Sequence, residues 1–250
     1  MYTVVTCWYS INSKFNVEKY SIWMNNFVSL LDNFNLVLFT NEESYKDIVK
    51  FIHPNVKIVI KEYTEFLCNK WDWEKNHKNN YLLNNQSVHN TDWRLNMVWS
   101  EKINFVNEGI KYFNNDYCMW CDIGYFRTLI SKKFPNKNIE LDPDKVYYAL
   151  VCPRKQLNTY VRMILLKQQV PYEQNSIAGG FFLSHIKNIE HHHKIYYTKL
   201  EYYFLNDMLV KDDQYVLLHC FVENMVKYHL IEEPNPHIYD KWFVFQRFLT

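Results

Sequence analysis

Two carboxylate-bearing strings in this 250-residue chain have the composition and setting for chemistry. The first is Trp120-Cys121-Asp122-Ile123-Gly124, where an apolar run ends abruptly in an acid and then a glycine. In open α/β sheets ligands bind outside the carboxyl ends of the strands, so an acid placed there can hold a divalent cation against a diphosphate. A single strand-end Asp is also an ordinary turn or cap residue, and both readings stay open. The second string is Lys211-Asp212-Asp213-Gln214. Adjacent acids repel, yet a helix start offers free N–H groups and a favourable dipole, which suits Asp212 to a cap. Asp213 precedes Leu217 by four residues and Cys220 by seven, so it lies on an apolar helix face. An unpaired carboxylate there is costly, which makes Asp213 a candidate functional acid.

Weaker signals surround these two. Glycine occurs only at 109, 124, 179 and 180, so the pair Gly179-Gly180 before an apolar strand answers a backbone need. That need is a bulge, or a substrate passing close to the main chain. Gly124 similarly permits close approach of a ligand or an unusual backbone angle. His191, His192 and His193 are consecutive; on a helix they fan over about 200° and cannot easily share a metal. His219, His229 and His237 are nearer the acids in sequence, and each is a candidate metal or phosphate contact. Cys118 and Cys121 have the spacing of a redox or zinc pair, but on a strand they point to opposite faces.

The elements that must position these residues are legible from periodicity. Strands are expected at 2–9, 36–39, 56–60, 117–122, 146–152 and 177–183. Val17, Tyr20, Met24, Phe27, Val28 and Leu31 trace a first amphipathic helix, and Tyr45, Ile48, Val49 and Ile52 a second. Alternation of strand and helix through residue 60 implies parallel pairing, right-handed crossovers and helices on both sheet faces. The clearest helix carries Leu95, Trp99, Ile103, Val106, Ile110 and Phe113 on one line, with Asn90 or Thr91 as its cap. Lys102 sits on the flank of that stripe, where a long side chain reaches past the core edge toward a cleft or simply snorkels to water. Further helices are expected over 154–169, 195–209 and after Asp213, followed by an irregular C-terminal stretch. Residues 70–90, rich in Asn, Lys and Trp, read as a long surface excursion that closes over a ligand.

Charge and composition remove other classes. With 28 Lys+Arg against 27 Asp+Glu and no long basic run, there is no general footprint for nucleic acid. The N-terminus lacks a basic head followed by an apolar stretch, and no run of about 18 apolar residues occurs, so no integral membrane segment is expected and the location is read as cytoplasmic. Six scattered cysteines without an export signal read as reduced thiols.

Taken in order, Thr3-Val4-Val5-Thr6, Phe39-Thr40-Asn41-Glu42-Glu43-Ser44, Trp99-Ser100-Glu101-Lys102, Met119-Trp120-Cys121-Asp122-Ile123-Gly124-Tyr125-Phe126-Arg127, Gly179-Gly180-Phe181-Phe182, Lys211-Asp212-Asp213-Gln214 and Trp242-Phe243-Val244-Phe245-Gln246 resemble the WlaTC/HtrL (YibB) glycosyltransferase family. The resemblance runs from end to end. It implies a GT-A-like α/β fold with a mixed, mostly parallel sheet, a single domain over 1–250, a nucleotide-sugar donor and Mn2+ or Mg2+. It also implies a nucleotide-sugar half over 1–124 and an acceptor half over 125–250. A UDP-sugar comes first among donors, and a glycan or other hydroxyl is the acceptor. GT-A enzymes commonly carry Asp-x-Asp at the strand end, whereas this chain has only Asp122 there. Further metal ligands would come from Asp212, Asp213 or a C-terminal histidine such as His237. On the same footing Thr6, Trp8 and Lys14 border the nucleotide, Lys102 and Arg127 meet the diphosphate, and Gly179 and Gly180 border acceptor and donor sugar. Asp213 deprotonates the acceptor and gives inversion, or Asp213 and Gln214 lie beneath the sugar and support retention, with the Asp-Gln pair leaning to retention. A metal-dependent phosphoesterase or nuclease, built on Asp122, Asp212 and Asp213, is the enzymatic alternative. A non-catalytic glycan-binding protein using Trp and Tyr rings is the other.

Overall fold

The computed structural model describes residues 1–84, 91–130 and 133–250. Along the chain run β1 (Tyr2–Trp8), α1 (Val17–Val28), β2 (Asn35–Thr40), β3 (Val56–Ile60), α2 (Trp73–Asn79), α3 (Tyr81–Asn84), α4 (Arg94–Gly109) and β4 (Tyr117–Cys121). Then follow β5 (Val146–Leu150), α5 (Arg154–Leu165), β6 (Ile177–His185), α6 (Ile189–Leu205), α7 (Asp213–Glu223), β7 (Tyr228–Glu232) and α8 (Phe245–Phe248). The strands form one seven-stranded sheet in the order β3-β2-β1-β4-β6-β5-β7. β3, β2, β1 and β4 are parallel, β6 runs antiparallel to both β4 and β5, and β7 is parallel to β5 at the edge.

Burial follows from the period of two along each strand. Val5, Phe39, Cys118, Trp120, Tyr148 and Phe182 face α4, α6 and α7 in one core cluster. Val4, Leu38, Met119, Cys121, Tyr147 and Phe181 face α1 and α8 in the other. A sheet covered on both faces explains why β1 and β5 are buried along their whole length. Cys118 and Cys121 fall in different clusters, and all six cysteines are buried, unbridged thiols.

Several elements differ from the sequence expectation. Residues Tyr45–Phe51 wind as a 3-10 helix, the tighter form used in short connectors. The described part of the 70–90 excursion is ordered: Asp72 caps α2 through Lys75 N–H, the Trp73 indole donates to Cys68 O, and the Asn76 and Asn80 amides donate to the carbonyls of Val210 and Lys211. Asparagine-to-backbone bonds of this kind leave no hydrophobic period to read. Residues 85–90, including the candidate cap Asn90, lie outside the described residues. Thr91 does not cap α4; its hydroxyl donates to Leu83 O, and Asp92 accepts from Arg94 N–H instead. The aromatic helix α6 begins at Ile189, so the histidine triplet sits in its first turns. The C-terminal stretch contains β7 and α8, both too short to show a period. Among the described residues no helix is long and apolar enough to cross a membrane.

Candidate active site

Asp122 is the first residue beyond β4, and its N–H donates to Gly180 O across the junction with β6 (2.8 Å). The β5–β6 register jumps there: Tyr148 pairs with Phe182 but Leu150 with Ile177, so Gly179 and Gly180 lie in a bulge. Lys102 reaches this point from the middle of α4. Its Nζ lies 3.0 Å from Asp122 Oδ1 and 2.9 Å from Asp213 Oδ2, and it donates to Gly179 O at 3.0 Å. The carbonyl accepts one proton of the ammonium and the two carboxylates flank its charge. The Trp120 indole donates to the same Asp122 Oδ1 at 2.7 Å, which fixes the carboxylate's orientation.

The three charges differ in exposure. Side chains of Lys102 and Asp213 are 7% and 6% exposed, whereas Asp122 is 39% exposed and opens into the cleft. Burial disfavours the Lys102 ammonium, but Asp122 and then Asp213 outweigh it and hold Lys102 above the ordinary lysine value. Desolvation pushes Asp122 above the usual carboxylate range; Lys102 opposes this and Asp213 adds to it.

The neighbouring acids of the second string have divided their tasks. Asp212 is the N-cap of α7: Oδ1 accepts from Tyr215 N–H and Oδ2 pairs with Lys211 Nζ, each at 2.9 Å. Burial raises its pKa against the pull of Lys211. Asp213, one residue on, points to Lys102. The glycines make room for these acids. A Cβ on Gly179 would lie 2.2 Å from Asp213 Oδ2, and one on Gly180 would lie 3.3 Å from Asp122 Oδ2. No glycine in the chain has positive φ. Gly124 is likewise a packing glycine, because a Cβ would lie 2.8 Å from the Trp23 ring.

Above the Lys102 cluster opens a cleft of about 480 Å³. Its walls carry Trp8, Tyr20, Trp23, Trp99, Trp242 and Phe243. Two further cations line it. Lys14 Nζ stands 5.0 Å from the centre of the Trp99 ring, and desolvation lowers its pKa against the attraction of Asp212. The Arg127 guanidinium lies 5.0, 4.8 and 4.9 Å from the ring centres of Phe15, Trp23 and Phe243. Gln214 also lines the cleft, and its buried Oε1 meets no donor.

Of the residues singled out in the sequence, Trp8, Lys14, Lys102, Asp122, Arg127, Gly180, Asp212, Asp213 and Gln214 therefore surround one cleft. Gly179 lies just beneath it and contributes its carbonyl. Thr6 is fully buried inside β1 and does not line the cleft: it shares a sheet face with Trp8 but lies two residues further back from the strand's carboxyl end. His237 is exposed in the loop after β7, away from the cleft, so Asp122 and His237 are not brought together. His192 is enclosed by the hydroxyls of Tyr148 and Tyr228, and His219 by Tyr203 and the Tyr215 carbonyl. No motif in the sequence marks the aromatic wall. Trp23 lies off the apolar stripe of α1, and that displacement is the one trace the wall leaves in the sequence.

A Mn2+ or Mg2+ ion takes about six oxygen ligands at close range. Here Asp122 and Asp213 are joined by an ammonium, and Asp212 is taken by Lys211 and the helix cap. Among the described residues no three His, Cys, Asp or Glu side chains converge to hold a metal ion. With the ammonium at both near oxygens, these side chains do not fit a divalent cation shared between Asp122 and Asp213.

Among solved structures the backbone is similar to the galactosyltransferase LgtC, crystallised in complex with donor and acceptor sugar analogues. The match has 10% sequence identity and a TM-score of 0.50, and covers 91% of this chain and 72% of that one. The chain has a GT-A-like fold. At that identity the likeness carries the fold and no residue's role. No protein-family model and no curated protein matches the chain, so the narrower family resemblance stands on its motifs alone.

Proposed function

We propose that the protein is a glycosyltransferase that moves a sugar from a nucleotide diphosphate sugar, a UDP-sugar first among them, to a hydroxyl of a glycan or other acceptor. The observation that carries this reading is the Lys102 ammonium buried between Asp122 and Asp213 on the floor of a ring-walled cleft that also holds Lys14 and Arg127. Such a cleft suits a ligand with flat or apolar faces at one end and two phosphates at the other. The cleft's place beyond the carboxyl end of β4 is where ligands of open α/β sheets bind. That LgtC was solved with donor and acceptor sugar analogues supports the reading through fold likeness alone.

In this reading residues 1–124 provide most of the nucleotide side, through Trp8, Lys14 and Trp99, and residues 125–250 face the acceptor. The C1–O bond to the diphosphate breaks with its electron pair left on the phosphate oxygen. The acceptor oxygen bonds C1, and its proton passes to the departing diphosphate. Lys14 and Arg127, which line the cleft, offset the charge that accumulates on that diphosphate, while Lys102 holds the two acids beneath. Asp122, half open to the cleft, accepts from a sugar hydroxyl, and Gln214 Oε1 accepts from another. Asp213 and Gln214 beneath the sugar favour retention of configuration.

The aromatic walls also suit a glycan-binding protein without catalysis, which is the second reading. Thermal shift against a panel of nucleotide sugars, followed by mass spectrometry of mixtures with candidate hydroxyl acceptors, separates the two. A transferase is stabilised by at least one nucleotide diphosphate sugar and yields an acceptor one sugar heavier. Stabilisation by free saccharides with no response to any nucleotide would replace it with the glycan-binding reading.

A further inference from the structure

We propose that Lys102 is the cleft's resident cation, standing where a sugar-diphosphate enzyme would otherwise hold a divalent metal, so that the donor binds and reacts without one. The inference rests on the glycosyltransferase reading for its chemistry, but its structural part does not depend on it.

The geometry points this way on four counts. The ammonium donates to Gly179 O at 3.0 Å and forms ion pairs with Asp122 Oδ1 at 3.0 Å and Asp213 Oδ2 at 2.9 Å, so both carboxylates close on the one charge. A metal shared by the two carboxylates would need the same point in space, since both acids turn their near oxygens toward Nζ. The surroundings are built for that orientation. Trp120 Nε1 holds the Asp122 oxygen that faces Lys102, and the missing Cβ of Gly179 gives Asp213 the room to reach it. Finally, Lys102 cannot swing aside freely: its side chain is 7% exposed, in the middle of α4 and 5.7 Å over the Trp120 ring.

Charge leads to the decisive variant. Lys102 leaves its pair of carboxylates one charge short of neutral. Removing its ammonium leaves two facing carboxylates and the Gly179 carbonyl around an empty point, which is an oxygen-rich, doubly negative site of the kind a hard divalent cation takes. Lys102→Met keeps the length and apolar stem of the side chain without the charge.

The test titrates the metal alone. Mn2+ is added to wild type and to Lys102→Met, and free Mn2+ is followed by electron paramagnetic resonance. Wild type leaves micromolar Mn2+ free, whereas Lys102→Met binds one equivalent at least about tenfold more tightly, a gain that Asp122→Asn cancels in the same background. In parallel, UDP binding to wild type, read by calorimetry, changes less than about twofold when EDTA is added. One equivalent of Mn2+ bound tightly by wild type, with UDP binding lost in EDTA, overturns the proposal. A folded Lys102→Met that gains no Mn2+ also overturns it. If Lys102→Met does not fold, the two wild-type measurements decide alone. If no nucleotide sugar binds under any condition the glycosyltransferase reading fails, while the Mn2+ titration still reports on Lys102.

Discussion

Gly179 touches Asp213 so closely that an added Cβ would lie 2.2 Å from Asp213 Oδ2. The glycine and the acid are 34 residues apart, brought together by the bulge in β6 and the first turn of α7. Any side chain at 179 must therefore push Asp213 off Lys102. Gly179→Ala is expected to cost about 1–3 kcal/mol of stability through overpacking. It should also cut transfer by about a hundredfold through a misplaced acid. Gly180→Ala faces Asp122 Oδ2 at a looser 3.3 Å, and Asp122 can yield into the cleft. Urea denaturation of both variants checks the ranking; equal losses would mean that the bulge backbone, not the acid, sets the cost.

Removing Lys102 tests how the charges hold one another. Lys102→Met strands Asp213, whose side chain is 6% exposed, and breaking a buried pair this way costs about 3–5 kcal/mol. Asp122, 39% exposed, adds less because it can turn away from Asp213 into the cleft. Lys102→Met with Asp213→Asn should recover much of the loss, since the amide needs no counter-charge. Denaturation midpoints of the single and double variants give the coupling directly. A double variant no more stable than the single would show that Asp213 is held by something other than Lys102.

Arg127 makes a different prediction because its guanidinium is stacked on rings at the mouth of the cleft. Its contacts with Phe15, Trp23 and Phe243 sit at an exposed residue, where each such contact is worth only about 0.5–1 kcal/mol. Arg127→Ala should leave the fold nearly unchanged and weaken UDP binding about tenfold or more, through loss of a charge-assisted contact to phosphate. Arg127→Lys restores the charge but not the flat stacking surface, and is expected to fall between. Calorimetry with UDP at low and moderate salt reads both. A large drop in thermal stability with unchanged UDP affinity would assign Arg127 to packing instead.

The contrast between legible and hidden features is physical. Strands β1 to β6 are legible as short apolar runs bounded by polar residues, as a sheet covered on both faces requires, and α4 because its apolar residues recur at the helical period. Asp122 and Asp213 were readable because each interrupts an apolar pattern at an element's end. β7 escaped because Tyr228–Glu232 is five residues at a sheet edge inside a stretch with prolines on its far side. The ring wall escaped for another reason: Trp23 and Phe243 are 220 positions apart, and only the tertiary fold puts both against Arg127. Spacing likewise gave no means to see that Lys102 joins the two acids. Periodicity placed Lys102 on the flank of α4, but which charges it meets there is decided by the β6 bulge.

His192 supplies a pH dependence with a definite sign. Its ring is fully enclosed, with Nε2 2.8 Å from Tyr148 OH and Nδ1 3.1 Å from Tyr228 OH. Desolvation, with smaller contributions from His193 and His191, lowers its pKa to about 3. The ordinary value of about 6.5 applies once the chain unfolds. The unfolded state therefore takes up a proton that the folded state refuses. Stability from the neutral imidazole is complete above about pH 6.5 and declines as pH falls toward 3, by about 1.4 kcal/mol per pH unit. His192→Gln keeps a donor and an acceptor for the two tyrosines and removes the titrating group. Between pH 6 and pH 4 wild type should lose about 2–3 kcal/mol more than His192→Gln, measured by urea denaturation at each pH. Other acid-sensitive groups act equally in both proteins, so the difference isolates the ring. Parallel losses would mean that the folded protein protonates His192 as readily as the unfolded chain does, and that the tyrosine cage opens to water.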